Sequence, residues 1–129
     1  MASNQERRSV ILVVEDVEET RHGMERLLTS SGYFVRTARD EADAVVNAGL
    51  KPPDLILSSL GLDAASSVAM AQRIREAARL HHSVPIVVFC VPSLPEGAEE
   101  MTGDNIYLIR PDNFNQLRGL LKRLVAAWP

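Results

Sequence analysis

Five polar residues in this chain are placed where chemistry could pass between them: the adjacent carboxylates Glu15 and Asp16, the hydroxyl of Ser59, the thiol of Cys90 and the guanidinium of Arg110. Each closes a short apolar run. A carboxylate pair of this kind can hold Mg²⁺, which needs only one or two carboxylates with waters completing its octahedron. A serine nucleophile needs an adjacent base, usually histidine. His81 and His82 precede the run Ile86 to Val91, so they belong at the opposite end of that strand, roughly 17–20 Å away. His22 falls inside a helical segment, where a solvated position is the expectation. Ser-His hydrolysis therefore does not fit. Cys90 is the only cysteine, with nothing basic beside it in sequence to depress its pKa. It is expected to be a buried small apolar side chain, not a redox centre. Asp63, shortly after Ser59, is expected to serve a turn or helix cap, with a displaced acceptor carboxylate as the alternative. Asp16 and Glu19 have the spacing of a capping box for the first helix.

The runs that carry these residues are Val10 to Val14, Leu55 to Leu57, Ile86 to Val91 and Ile106 to Ile109, with a weaker one from Tyr33 to Ala38. The four stronger runs are nearly continuous, the pattern of strands covered by helices on both faces of a parallel sheet. Helical stripes lie between them. Met24, Leu27, Leu28 and Ser31 form one that stops at Gly32, and Asp40 to Ala48 forms a shorter helix ending at Gly49. Met70, Ala71, Ile74, Ala77 and Ala78 form a third. Phe114, Leu117, Leu120, Leu121, Leu124, Val125 and Trp128 line the last, with Arg118, Lys122 and Arg123 opposite. The connection from Pro92 to Gly103 carries two prolines and two glycines, so any helix there is short or frayed. Five β-α units predict an α/β doubly wound five-stranded parallel sheet in the order 2-1-3-4-5, with ligands at the carboxyl ends of the strands. That end holds Glu15, Asp16, Ser59, Cys90 and Arg110.

At 129 residues, 46% hydrophobic and 24% charged, the chain has the composition of one globular domain. Residues 1–9 read as an N-terminal tail and 10–129 as the domain. A net charge of −3 supplies no field for a nucleic-acid backbone, and no apolar run reaches the length of a membrane span, so neither nucleic acid nor membrane is an expected partner. The single cysteine and the lack of an apolar leader point to the cytoplasm.

The pieces ILVVED, SSGYFV, PPDLILSSL, VPIVVFC and IYLIRP, in this order and spacing, resemble the receiver domain of bacterial two-component response regulators, a flavodoxin-like fold. In that family an acidic pair after the first strand binds Mg²⁺ and an aspartate ending the third accepts a phosphoryl group. A Thr or Ser ending the fourth strand and a Lys before a proline after the fifth contact that group. A strand-5 aromatic changes rotamer with the strand-4 hydroxyl. Carried onto this chain, Glu15 and Asp16 match the acidic pair and Tyr107 the aromatic. Ser59 stands at the phosphoacceptor position, Cys90 at the hydroxyl position and Arg110 at the lysine position.

The resemblance thus implies a degenerate receiver. It should need no cofactor, should hold Mg²⁺ only weakly through Glu15 and Asp16, and should favour a salt bridge from Arg110 to that pair. The function implied is a stand-alone, non-enzymatic, phosphorylation-independent module acting in a phosphorelay by contact with a histidine kinase, a downstream effector or a second copy. Arg118, Lys122 and Arg123 are candidate contacts. The alternative is a phosphorylatable receiver using Asp63, Glu15 or Asp16. A flavodoxin-like hydrolase or ligand-binding protein would need a glycine-rich phosphate loop or a nucleophile-base pair, and the sequence has neither.

Overall fold

Successive residues of a strand point to opposite faces, and in this chain both faces are apolar. A computed structural model describes residues 8–125. Its strands are β1 (Val10–Val14), β2 (Phe34–Ala38), β3 (Leu55–Ser58), β4 (Ile86–Phe89), β5 (Glu99–Met101) and β6 (Ile106–Ile109). Its helices are α1 (Glu18–Ser30), α2 (Glu41–Leu50), α3 (Ala64–Ala77) and α4 (Phe114–Val125). Leu12, Val14, Ile56, Ile86, Val88, Ile106 and Leu108 face one way, onto Ala44 and Ala48 of α2 and Met70, Ala71 and Ile74 of α3. Ile11, Val13, Leu55, Leu57, Val87 and Ile109 face the other way, onto Met24 and Leu28 of α1 and Leu117, Leu120 and Leu121 of α4. Continuous apolar runs are what such a two-sided core requires.

The sheet order is β2-β1-β3-β4-β6-β5. Its five parallel strands follow the predicted 2-1-3-4-5 order, β6 being the predicted fifth strand. The sheet has six strands, one more than expected. The segment after Pro92 makes no helix but returns as β5, antiparallel to β6, with Glu99 opposite Ile109 and Met101 opposite Tyr107. Gly97, at φ +84°, makes the turn into it.

Helix ends show the local chemistry. Asp40 caps α2 by accepting from the Asp43 amide at 2.8 Å. Gly49 does not end that helix as expected; it lies within α2, one residue before its end, where an added Cβ would make ordinary van der Waals contact with the Ala78 Cα at 3.9 Å. Gly32, at φ +98°, follows α1 in the left-handed conformation that glycine favours. Of the predicted tail, Arg8 lies over the Phe34 ring at 5.3 Å and Ser9 accepts from the Phe34 amide at 3.0 Å; residues 1–7 lie outside the described part, as does Trp128.

Candidate functional site

Parallel strands bring their carboxyl ends together, and here that end gathers Glu15, Ser59, Cys90 and Arg110. Two ladder bonds set the floor: the Glu15 amide donates to the Ala38 carbonyl at 3.0 Å and the Ser59 amide to the Val14 carbonyl at 2.9 Å. Glu15 is 4% exposed. Burial of a carboxylate requires donors, and the chain supplies two. The Ser59 hydroxyl donates to Oε1 and the Val17 amide donates to Oε2, the latter at 2.9 Å. Arg21 adds a bond from its guanidinium to the Glu15 main-chain carbonyl at 2.9 Å. On its other side the Ser59 hydroxyl lies 3.6 Å from the Met24 sulfur. Met24 thus belongs to the core stripe and to the site at once, a link that nothing along the chain announces.

Asp16 takes no part in this arrangement. It is exposed, and the expected capping box is absent: α1 begins after Val17 with no side-chain cap. The helix starts one residue later than the capping box requires, with Val17 and not Asp16 at the N-cap. Glu18 and Glu19 still place negative charge in the first turn, where the helix dipole favours it.

Cys90 corrects a second expectation. It is exposed, not buried, and it stands in the left-handed region at φ +61°, directly after β4. Its sulfur is nonetheless partly desolvated. The surrounding walls desolvate the thiolate and push its pKa up; the Arg110 charge opposes this and the Glu15 carboxylate reinforces it. The thiol is thus held in its unreactive form.

Arg110 corrects a third. It makes no ion pair with Glu15 or Asp16; its Nη1 donates to the carbonyls of Pro92, at 3.2 Å, and Leu94, at 3.0 Å. Its main chain is fixed too, the amide donating to the Ala98 carbonyl at 2.9 Å. The guanidinium ties down the segment between β4 and β5. Those carbonyl partners were invisible in sequence.

The donor set does not fit a tightly held magnesium ion. Both Glu15 oxygens already accept hydrogen bonds, Asp16 is the only neighbouring carboxylate, and no group of three or more His, Cys, Asp or Glu converges among the described residues. Asp63 serves elsewhere, capping α3 by accepting from the Ser66 amide at 2.7 Å, a bond that holds its carboxyl below the ordinary value of 3.8. Tyr107 is half-buried in β6, opposite Met101 of β5. His22 is exposed on α1, and His81 and His82 stack on each other at 4.4 Å in the segment leading into β4, at the far end of the sheet.

Of the α4 cations, Arg123 pairs with Glu99 at 2.6 Å and Arg118 lies 5.5 Å over the Phe114 ring. Lys122 is exposed, with no ion pair among the described residues.

The profile of the response regulator receiver domain matches residues 11–119 of the chain. The transcriptional regulatory protein KdpE of Staphylococcus aureus is 30% identical in an alignment 121 residues long that covers 88% of this chain and 48% of KdpE. The DNA-binding transcriptional regulator NtrC of Escherichia coli is 23% identical over 121 residues, 92% of this chain and 25% of NtrC. The chain therefore spans about half the length, or less, of these curated relatives. Among solved structures, chemotaxis protein CheY4 of Vibrio cholerae superposes with a TM-score of 0.70 at 24% identity, covering 91% of this chain and 98% of CheY4. The receiver domain of the sensor histidine kinase PA1611 of Pseudomonas aeruginosa, which has a magnesium ion coordinated in its active site cleft, superposes with a TM-score of 0.68 at 28% identity, covering 92% of this chain and 98% of that one.

Proposed function

The chain belongs to the response regulator receiver domain family of two-component signalling, and on that premise we propose that it does its work without accepting a phosphoryl group. It is a non-catalytic module that meets a histidine kinase or an effector through surfaces that stay in one conformation.

The observation that carries this reading is the closed pair of Ser59 and Glu15. At the position where the family motif places the acceptor aspartate, a hydroxyl donates its proton to the only buried carboxylate of the site. Glu15 as a base for Ser59 does not rescue phosphoryl transfer. Transfer depends on cationic groups that neutralise charge on the moving phosphoryl oxygens. Here the incoming anion would meet Glu15, while the Arg110 guanidinium is spent on the Pro92 and Leu94 carbonyls. Asp63 is engaged as the α3 cap, which argues against it as a displaced acceptor.

The reading also covers the switch. Cys90 has no hydroxyl to move toward a phosphoryl group, and Tyr107 stands opposite Met101 of β5, the strand into which the chain folds between β4 and β6 in place of a helix. Backbone amide spectra recorded before and after a small phosphodonor with Mg²⁺ test this. Unchanged resonances for residues 90–110 are expected; a new set of shifts in that stretch would overturn the proposal.

A further inference from the structure

Where a crossover helix was expected, the chain leaves an open strand edge. β5 is the last strand of the sheet, and only β6 pairs with it. The register decides which of its backbone groups are free. Arg110 donates to the Ala98 carbonyl and Thr102 donates to the Ile106 carbonyl, so residues 98, 100 and 102 turn their polar groups inward. Glu99 and Met101 fall on the alternate positions, and their N–H and C=O groups point away from β6. The Met101 side chain is 69% exposed.

Along the chain, the charged residues of this segment have one sign. From Ser83 to Ile109 there is no Lys, Arg or His, and there are four acids: Glu96, Glu99, Glu100 and Asp104. Glu99 is neutralised by Arg123 and Asp104 accepts from Gln72 at 3.0 Å. Glu96 and Glu100 have no ion-pair partner among the described residues. Acidic side chains on an edge guard it against self-pairing. Antiparallel β5-to-β5 pairing between two copies would set Glu100 against Glu100, and like charges in direct opposition are destabilising.

We propose that the β5 edge is a docking site for an extended cationic segment of a partner protein, which adds as a further strand. The outward groups of Glu99 and Met101 supply main-chain hydrogen bonds, Met101 an apolar contact, and Glu96 and Glu100 the selection for positive charge. With three residues in the strand, such docking is weak and exchanges fast. It stands on the strand edge alone and holds whether or not Ser59 can be phosphorylated.

The probe is a fluorescein-labelled heptapeptide of alternating lysine and valine, compared with the same peptide N-methylated at every backbone amide. The two carry equal charge, but only the first can pair as a strand. Expected are shifts of the Glu99 and Met101 amides with the plain peptide and at least tenfold weaker binding of the methylated one. Met101→Pro removes an outward N–H without touching the ladder to β6, as edge prolines can, and should weaken the plain peptide by a similar factor. Should that variant not fold, the methylation comparison decides, together with a Glu96→Gln, Glu100→Gln double variant in which the peptide affinity and its salt dependence both fall. Equal binding of the two peptides, shifts confined to other surfaces, self-association through this edge, or no binding at about 1 mM peptide, near −4 kcal/mol, would each overturn the proposal.

Discussion

Ser59 and Glu15 stabilise each other: a hydroxyl that satisfies a buried carboxylate contributes about 1.5–3 kcal/mol when the acceptor is charged. Ser59→Ala should therefore cost about 1–2 kcal/mol in urea unfolding, the exposed rim of the site recovering part of the loss through water. An unchanged midpoint would mean that the pair is incidental. The thiol beside it gives a signed electrostatic test. Cys90 should alkylate more slowly than a free thiol near pH 8, because desolvation holds its pKa up. Arg110→Ala, by removing the opposing positive charge, should slow it further, and Glu15→Gln should speed it; rates moving in the other directions would refute the assignment of those charges. Glu15, Ser59 and Arg110 could be placed at the carboxyl end of the sheet from sequence because each follows an apolar run. The exposure of Cys90 was not legible, since it follows from a left-handed backbone turn that a cysteine does not announce. The capping role expected of Asp16 failed because α1 starts one residue later, with Val17 at its N-cap.

At the scale of elements, the segment 92–103 decides the shape of the site. Its prolines and glycines pointed to a short or frayed helix where none forms, and three residues reading Glu-Glu-Met show no alternation of their own to mark a strand. Their pairing is fixed by β6 and by the Arg110 clamp, both remote along the chain. Gly97 is the hinge of this return. Gly97→Ala should destabilise by about 1–2 kcal/mol, mainly because φ +84° is costly for a residue with a Cβ. The clash of that Cβ with Asp112 Oδ2 at 2.9 Å adds less, because the carboxylate sits at the end of a movable side chain. A full-strength midpoint in Gly97→Ala would show that the turn is not held in this conformation. The α3 cap gives a pH dependence. Asp63 titrates below its ordinary 3.8 in the folded chain, so its stabilisation is present above that pH and lost as pH falls through the folded value. In Asp63→Asn, which caps without titrating, that part of the acid-induced loss should vanish from a pH series of thermal melts.

For the whole molecule, the two-sided core and the strand order were readable almost entirely from sequence, since continuous apolar runs separated by helical stripes admit few other layouts. No helix of the described residues is long and apolar enough to cross a membrane. Restoring one carboxylate should not restore the activity of the family: in Ser59→Asp, Cys90 still lacks a hydroxyl and Arg110 is still bound to carbonyls, so phosphorylation should stay well below that of a complete receiver under the same phosphodonor. The claim on which the account turns is that the unaltered chain takes no phosphoryl group. Intact mass measured after incubation with a small phosphodonor and Mg²⁺ tests it most directly. The unmodified mass is expected; a gain of one phosphoryl group that disappears in Ser59→Ala, or in Asp63→Asn, would show the chain to be phosphorylated.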